Sequence, residues 1–134
     1  MNAARAQQQA ATRAGDGGQA QAAGVPALVA EFLAHLAVER RMSAHTLDAY
    51  RRDLAALAAW AQAQARALPG LHGDDLRAFV AAEHRRGLSP KSLQRRLSAC
   101  RSFYRWLLKL GRIAASPADA IRAPKAARRL PQVL

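Results

Sequence analysis

This sequence has a single cysteine and no long apolar run, and each of these absences excludes a class of protein. Cys100 is the one cysteine among 134 residues, so no disulfide can form within the chain and no oxidising compartment is required. Its place in the helical pattern favours a small buried residue over a nucleophile. No run approaches the roughly 18 to 20 apolar residues of a membrane span. We therefore expect a soluble, cytoplasmic protein.

The groupings that carry enzymatic chemistry are missing as well. No nucleophile has a base and a charge-stabilising group at suitable spacing, and no glycine-rich loop could hold phosphate. His45 has only Asp48 at a nearby helical position, which is typical of a surface neighbour and not of a metal site. Tyr50 and Tyr104 fall on apolar helix faces, where packing is their expected role. The sequence predicts a binding module with no cofactor and no metal.

Acidic residues are almost absent from the last third of the chain. Residues 1–84 hold 8 Lys or Arg and 8 Asp or Glu, whereas residues 85–134 hold 13 Lys or Arg and one acid, Asp119. The whole net charge of +12 therefore lies after residue 84. Such an asymmetry indicates a nucleic acid or another polyanion as partner.

Composition divides the chain into three parts. Residues 1–24 are rich in alanine, glutamine and glycine, which predicts a disordered tail; a transit peptide is the alternative, although serine and an amphipathic stripe are lacking. Residues 25–121 carry the periodic apolar pattern of a folded domain. Residues 122–134 contain prolines among four cations, which predicts an extended basic linker toward a domain that would follow it.

Periodicity and capping residues predict an all-α fold with four main helices. These helices are expected over about 26–40, 44–64, 74–85 and 89–110. Ser43 and Ser89 are the expected N-caps of the second and fourth, and Asp74 that of the third. Gly87 and Gly111 are expected to end the third and the fourth helix. A short fifth helix is predicted from Ser116 to Ile121.

The fourth helix has two opposite faces. At about 100° per residue, one line holds the set that we call the basic stripe: Lys91, Arg95, Ser98, Ser102, Arg105 and Lys109. The far side is apolar and is predicted to enter the core: Leu93, Leu97, Cys100, Tyr104, Leu107 and Leu108. The basic stripe has no acid within the helix, is about 27 Å long, and suits a DNA major groove about 12 Å wide. A merely solvated face is the alternative.

The second helix opens in the same way as the fourth, with RRMSAHT against RRGLSPKS. Each has a basic pair, a capping serine and a hydroxyl three residues later, so both N-termini could receive phosphates. Two ordinary caps are the alternative. The predicted DNA-binding residues are Ser43, His45, Thr46, Arg51, Lys91, Arg95, Ser98, Arg101, Arg105, Lys109, Lys125, Arg128 and Arg129.

Three stretches together resemble the N-terminal core-binding domain of the tyrosine site-specific recombinases, and within that family the XerC group. They are FLAHLAVERRMSAHTLDAYRRDL, RRGLSPKSLQRRLSACRSFYRWL and SPADAIRAPKAARRLPQVL. The resemblance covers about residues 25–134. It implies a SAM-like helical bundle that forms half of a clamp on double-stranded DNA, with the second and fourth helices at the major groove.

The resemblance also implies a larger protein. A catalytic domain after the linker would supply the tyrosine nucleophile, so neither Tyr50 nor Tyr104 is expected to have that role. The whole protein would resolve chromosome dimers, in the context of cell division, in a heterotetramer with a XerD-like recombinase. Three alternatives stay open: the arm of another phage or integron integrase, a helical module whose basic face meets an acidic protein, and an RNA-binding domain. The last is disfavoured because few aromatic residues are available for stacking on bases.

Overall fold

The computed structural model describes residues 25–124, which form four α-helices and no strand, in agreement with the predicted all-α fold. The helices are α1 (Ala27–Glu39), α2 (Ala44–Ala63), α3 (Gly73–Arg85) and α4 (Pro90–Lys109), and a 3₁₀ turn spans Leu68–Gly70. The predicted tail and the linker residues Lys125, Arg128 and Arg129 lie outside the described range. None of the helices within it is long and apolar enough to cross a membrane.

The chain divides into two compact units, Met1–Ala59 and Trp60–Leu134. In the first unit, α1 buries Val29, Phe32, Leu33 and Leu36, a spacing of three and four residues that places them on one side of the helix. The helix ends at Glu39, and Arg41 adopts a left-handed conformation with φ of 50°. Ser43 then caps α2, since the Thr46 amide donates to Ser43 Oγ over 3.1 Å.

In the second unit, α3 and α4 pack against each other. The N-cap of α3 is His72, two residues before the predicted Asp74, so the helix begins at Gly73. The reason is that Asp75, at the third helical position, accepts the His72 amide at 2.7 Å, whereas Asp74 pairs with Arg77. Gly87, with φ of 98°, ends the helix in the left-handed conformation expected of it.

The predicted fifth helix is wrong, because residues 117–120 form a turn. The Ile121 amide donates to the Ala118 carbonyl oxygen at 3.2 Å, and no helical ladder continues from it. A segment of this length gains too few backbone hydrogen bonds to offset helix nucleation. The carbonyl oxygens of Ala118 and Ile121 instead accept from the side chain of Arg101 on α4.

Tyr104 fixes the interior of the second unit. Its buried hydroxyl donates to the Leu68 carbonyl oxygen at 2.7 Å, and its ring meets Phe103 edge-on with centroids 5.1 Å apart. Burial, with smaller effects of Cys100 and Asp75, raises the pKa of Tyr104 far above the ordinary tyrosine value. The predicted packing role is therefore confirmed for Tyr104, and Cys100 is buried as predicted, whereas Tyr50 is only half-buried.

Replacing Tyr104 by phenylalanine should lower the free energy of unfolding by about 1 kcal/mol at pH 7, because the buried hydrogen bond to Leu68 is lost. The folded state keeps this tyrosine protonated, whereas the unfolded tyrosine ionises near pH 10. The stabilisation is therefore complete below pH 10 and declines as the pH rises above that value. Urea unfolding of both proteins at pH 7 and pH 10.5 measures this; a difference that does not shrink at the higher pH contradicts it.

Candidate nucleic-acid interface

The buried face of α4 fixes how the helix is turned. Two of its aromatic side chains, Phe103 and Tyr104, are fully inaccessible. In all, seven residues of the helix are buried: Leu93, Leu97, Ala99, Cys100, Phe103, Tyr104 and Leu107. The predicted apolar face is confirmed with one exception. Leu108 is 38% exposed, because it lies at the edge of the apolar sector and within the last turn of the helix.

The basic stripe faces solvent on the opposite side of α4. Lys91, Arg95, Ser98, Arg105 and Lys109 are exposed, and Ser102 is half-buried. Two small hydroxyl residues at the middle of the row leave room for a bulky partner to approach the helix backbone. The stripe is thus a row of positive charge about 27 Å long on the outside of the second unit.

The start of α4 has the geometry that the repeated sequence predicts. Ser89 Oγ accepts the Ser92 amide at 3.1 Å, as Ser43 Oγ accepts that of Thr46 at the start of α2. In both caps the serine hydroxyl also donates to the hydroxyl three residues later, over 3.1 Å and 3.0 Å. Each helix N-terminus carries the partial positive charge of its dipole, which favours an anion.

The first unit holds the other described candidates at the start of α2. Ser43 and His45 are exposed, and Thr46 and Arg51 are half-buried. Arg51 Nη1 lies 3.0 Å from Asp48 Oδ1, and Arg52 contacts the second oxygen of the same carboxylate at 2.6 Å. A phosphate at Arg51 would therefore share that guanidinium with Asp48.

The last two turns of α4 contact the segment that follows the helix. Arg101 donates to the carbonyl oxygens of Ala118, at 3.4 Å, and Ile121. One turn further, Arg105 Nε lies 3.3 Å from Asp119 Oδ1. The sequence shows no acid within the helix, and Asp119 comes from beyond it, so a helical wheel does not reveal this contact.

A buried carboxylate on α3 was missed by the sequence reasoning. The Glu83 side chain is only 6% exposed and contacts Arg96, which is 13% exposed, and also Arg86 at 2.9 Å. The signal was present in the pattern, since Glu83 continues the apolar spacing of Leu76, Phe79 and Val80. A charged residue on a buried face predicts a buried partner of opposite sign.

Metal-binding groups do not accompany these features. Among residues 25–124, no three His, Cys, Asp or Glu side chains are grouped closely enough to hold a metal ion. Several carboxylates of this region pair with arginines, as at Glu83 and Asp119. What the arrangement offers chemically is hydrogen-bond donors and positive charge.

A comparison with protein-family models places the fold. Residues 29–111, more than half of the chain, match the model of the phage integrase N-terminal SAM-like domain. The chain belongs to this family. The SAM-like bundle that the resemblance implies is thereby confirmed at the level of the family.

Curated relatives of this SAM-like domain carry the name tyrosine recombinase XerC. The chain is 72% identical over 107 residues to the one from Xanthomonas campestris pv. campestris (strain B100), covering 79% of the chain and 33% of the relative. It is 66% identical over 117 residues to that of Xanthomonas axonopodis pv. citri (strain 306), covering 79% and 38%. For Pseudomonas aeruginosa (strain LESB58) the identity is 48% over 104 residues, covering 77% and 34%.

The SAM-like chain thus spans about a third of the length of these relatives. The resemblance to the XerC group is confirmed by the three identities. No solved structure matches the chain significantly.

Replacing Glu83 by alanine should destabilise the protein by about 3 kcal/mol, because it leaves the buried guanidinium of Arg96 without its carboxylate. Adding Arg96→Met to that variant should restore most of the loss, since an apolar side chain of similar length then fills the space. The matched control is Arg77→Ala, which breaks the exposed pair with Asp74 and should cost less than about 1 kcal/mol. Chemical unfolding measures all three; equal costs for the buried and the exposed pair would refute the structural role.

Proposed function

We propose that this chain is the DNA-binding, core-binding domain of a tyrosine recombinase of the XerC type, acting in site-specific recombination and chromosome dimer resolution. The observation that carries the proposal is the exposed basic stripe of α4 opposite its buried face, in a family whose relatives are named recombinases. Because its substrate would be the bacterial chromosome, the protein would work in the cytoplasm.

Strand cleavage and rejoining belong to the proposal for the whole protein and not for this chain. The same holds for the heterotetramer with a XerD-like recombinase, which rests on the XerC name of the relatives. The SAM-like domain itself would hold the recombination half-site and orient it for that chemistry.

The dimensions and charge of the basic stripe suit a major groove. The groove admits a single α-helix, and a stripe about 27 Å long extends over most of a turn of duplex, which is about 34 Å. In this placement the four cations of the stripe would contact phosphates. Lys91 and Lys109 lie at its two ends, and Arg95 and Arg105 lie between them. Ser98, small and exposed, would lie near base edges or the sugar-phosphate backbone.

The remaining predicted contacts have different parts in this proposal. Arg101 is engaged with two carbonyl oxygens, so it would contact DNA only with the donors that those bonds leave. Ser43, His45, Thr46 and Arg51 at the start of α2 would bind backbone phosphates or base edges. Lys125, Arg128 and Arg129 stay predictions from the sequence, in a linker expected to follow the duplex.

Two other functions predict different behaviour in solution. A module that binds an acidic protein would also be sensitive to salt, but it would show no preference for a recombination half-site over scrambled duplex. An RNA-binding domain would favour unpaired strands with stacked bases. Trp60 and Trp106 are half-buried, and each has an aromatic neighbour within the second unit, Phe79 for Trp60 and Phe103 for Trp106.

The direct experiment is a fluorescence anisotropy titration of the full 134-residue chain with a labelled duplex. The duplex carries a recombination half-site of the Xanthomonas campestris relative, and the control duplex has the same bases in scrambled order. If about six cations neutralise phosphates, log affinity should fall with log salt with a slope near −5. The half-site should bind more tightly than the scrambled duplex at every salt concentration.

Variants locate the binding face in the same titration. The double variant Lys91→Ala, Lys109→Ala should make the salt slope shallower by about 2, since each phosphate contact contributes roughly 0.9. The control Arg66→Ala, Arg77→Ala removes the same charge outside α4, from arginines paired with Asp75 and Asp74, and should leave the slope nearly unchanged. A wild-type slope shallower than about −2, or equal effects of the two double variants, would argue against the proposal.

A further inference from the structure

The acidic residue Asp119 contacts the basic stripe. Asp119 is the only acid after residue 84, and its Oδ1 lies 3.3 Å from Arg105 Nε. Both side chains are partly open to solvent, at 64% for Arg105 and 49% for Asp119. An incoming phosphate can therefore reach the guanidinium, and it would meet a carboxylate already there.

The turn around Asp119 is anchored on both sides of the carboxylate. Ala118 and Ile121 are buried, and their carbonyl oxygens accept from Arg101, one helical turn before Arg105 on α4. The Ile121 amide closes the turn by donating to the Ala118 carbonyl oxygen. The backbone on either side of Asp119 is thus hydrogen-bonded to α4, the helix that also carries Arg105.

A carboxylate and a phosphate make the same demand on a guanidinium. Both accept charge-assisted hydrogen bonds from its N–H groups, and both gain from its positive charge. With Asp119 in place, one N–H of Arg105 is occupied and the local charge is nearly neutral. A DNA phosphate would have to displace the carboxylate or accept its repulsion.

We propose that Asp119 is an internal competitor of DNA phosphate at Arg105, and that it lowers the affinity of the basic stripe for duplex of any sequence. The inference rests on the proposed function and adds to it a residue that limits binding. Because a phosphate carries no base information, the reduction is the same on a half-site and on other DNA. Its effect is to shorten the time that the domain spends on any duplex, the half-site included.

The competition has a signature in the salt dependence. When phosphate takes Arg105, the Asp119 carboxylate remains as a negative charge beside the DNA, so the stripe neutralises less phosphate charge in total. Removal of the carboxylate should therefore steepen the slope of log affinity against log salt by up to about 0.9. An exposed ion pair of this kind corresponds to a change in affinity of up to about five-fold.

The test compares Asp119→Asn with Asp74→Asn in the full chain, by anisotropy with the scrambled duplex and with the half-site duplex. Both variants raise the net charge by one, but Asp74 is 96% exposed and pairs with Arg77 on α3. Asp119→Asn should tighten binding by up to about five-fold on both duplexes and steepen the slope, whereas Asp74→Asn should change the affinity less than Asp119→Asn does and leave the slope unchanged. In a background of Arg105→Ala, Asp119→Asn should give no such gain.

Circular dichroism melting of each variant shows that the helices stay folded. Equal gains from the two asparagine variants, a weaker complex for Asp119→Asn, or an undiminished gain without Arg105 would each overturn the role of Asp119 while leaving DNA binding in place. If neither wild type nor any variant binds duplex, the proposed function itself fails, and this inference with it.

Discussion

Burial of one face of α4 is the constraint on which the rest of the structure depends. Seven residues of that face are inaccessible, including Phe103 and Tyr104, and each large side chain contributes about 1.5 to 3 kcal/mol to the hydrophobic stabilisation. Rotation of the helix about its axis by one residue position would bring cations into the core, at a cost on the order of several kcal/mol each. The outward direction of the basic stripe therefore follows from the packing of the opposite face. The rotation of α4 about its own axis therefore determines both the stability of the core and the surface offered to a partner.

Three of the four Asp and Glu residues of the second unit divide between two tasks, and the fourth, Asp74, pairs with Arg77 on the surface. Glu83 is buried and pairs with Arg96 between α3 and α4, and Asp75 pairs with Arg66 at 3.3 Å, so these acids accompany arginines that hold the fold. Asp119 differs, because it meets an arginine of the exposed stripe. Glu83 thus compensates a largely buried charge, and Asp119 opposes one charge of the exposed basic stripe. This distribution is what a surface for a polyanion requires, with one acid to moderate it.

Much of this arrangement could be predicted from the sequence. The four helices, the serine caps at Ser43 and Ser89 and the exposure of the basic stripe follow from short-range chemistry, in which each residue acts on neighbours within one or two turns. One failure is local, the α3 cap at His72 instead of Asp74, and the others involve residues far apart in the chain. Asp119 meets Arg105 across fourteen residues, and the carbonyl oxygens of the expected fifth helix are bonded instead by Arg101. The buried Glu83 was detectable as a charge in an apolar row, but its partner Arg96 lies thirteen residues away.

The central claim is that the face of α4 opposite the core is the face that meets DNA. NMR mapping tests it most directly: amide and side-chain signals of the labelled chain are followed as half-site duplex is added. We expect the largest shifts along the whole basic stripe from Lys91 to Lys109, with α3 from Arg77 to His84 nearly unchanged. Shifts concentrated on α3, with the basic stripe unaffected at saturating DNA, would contradict it.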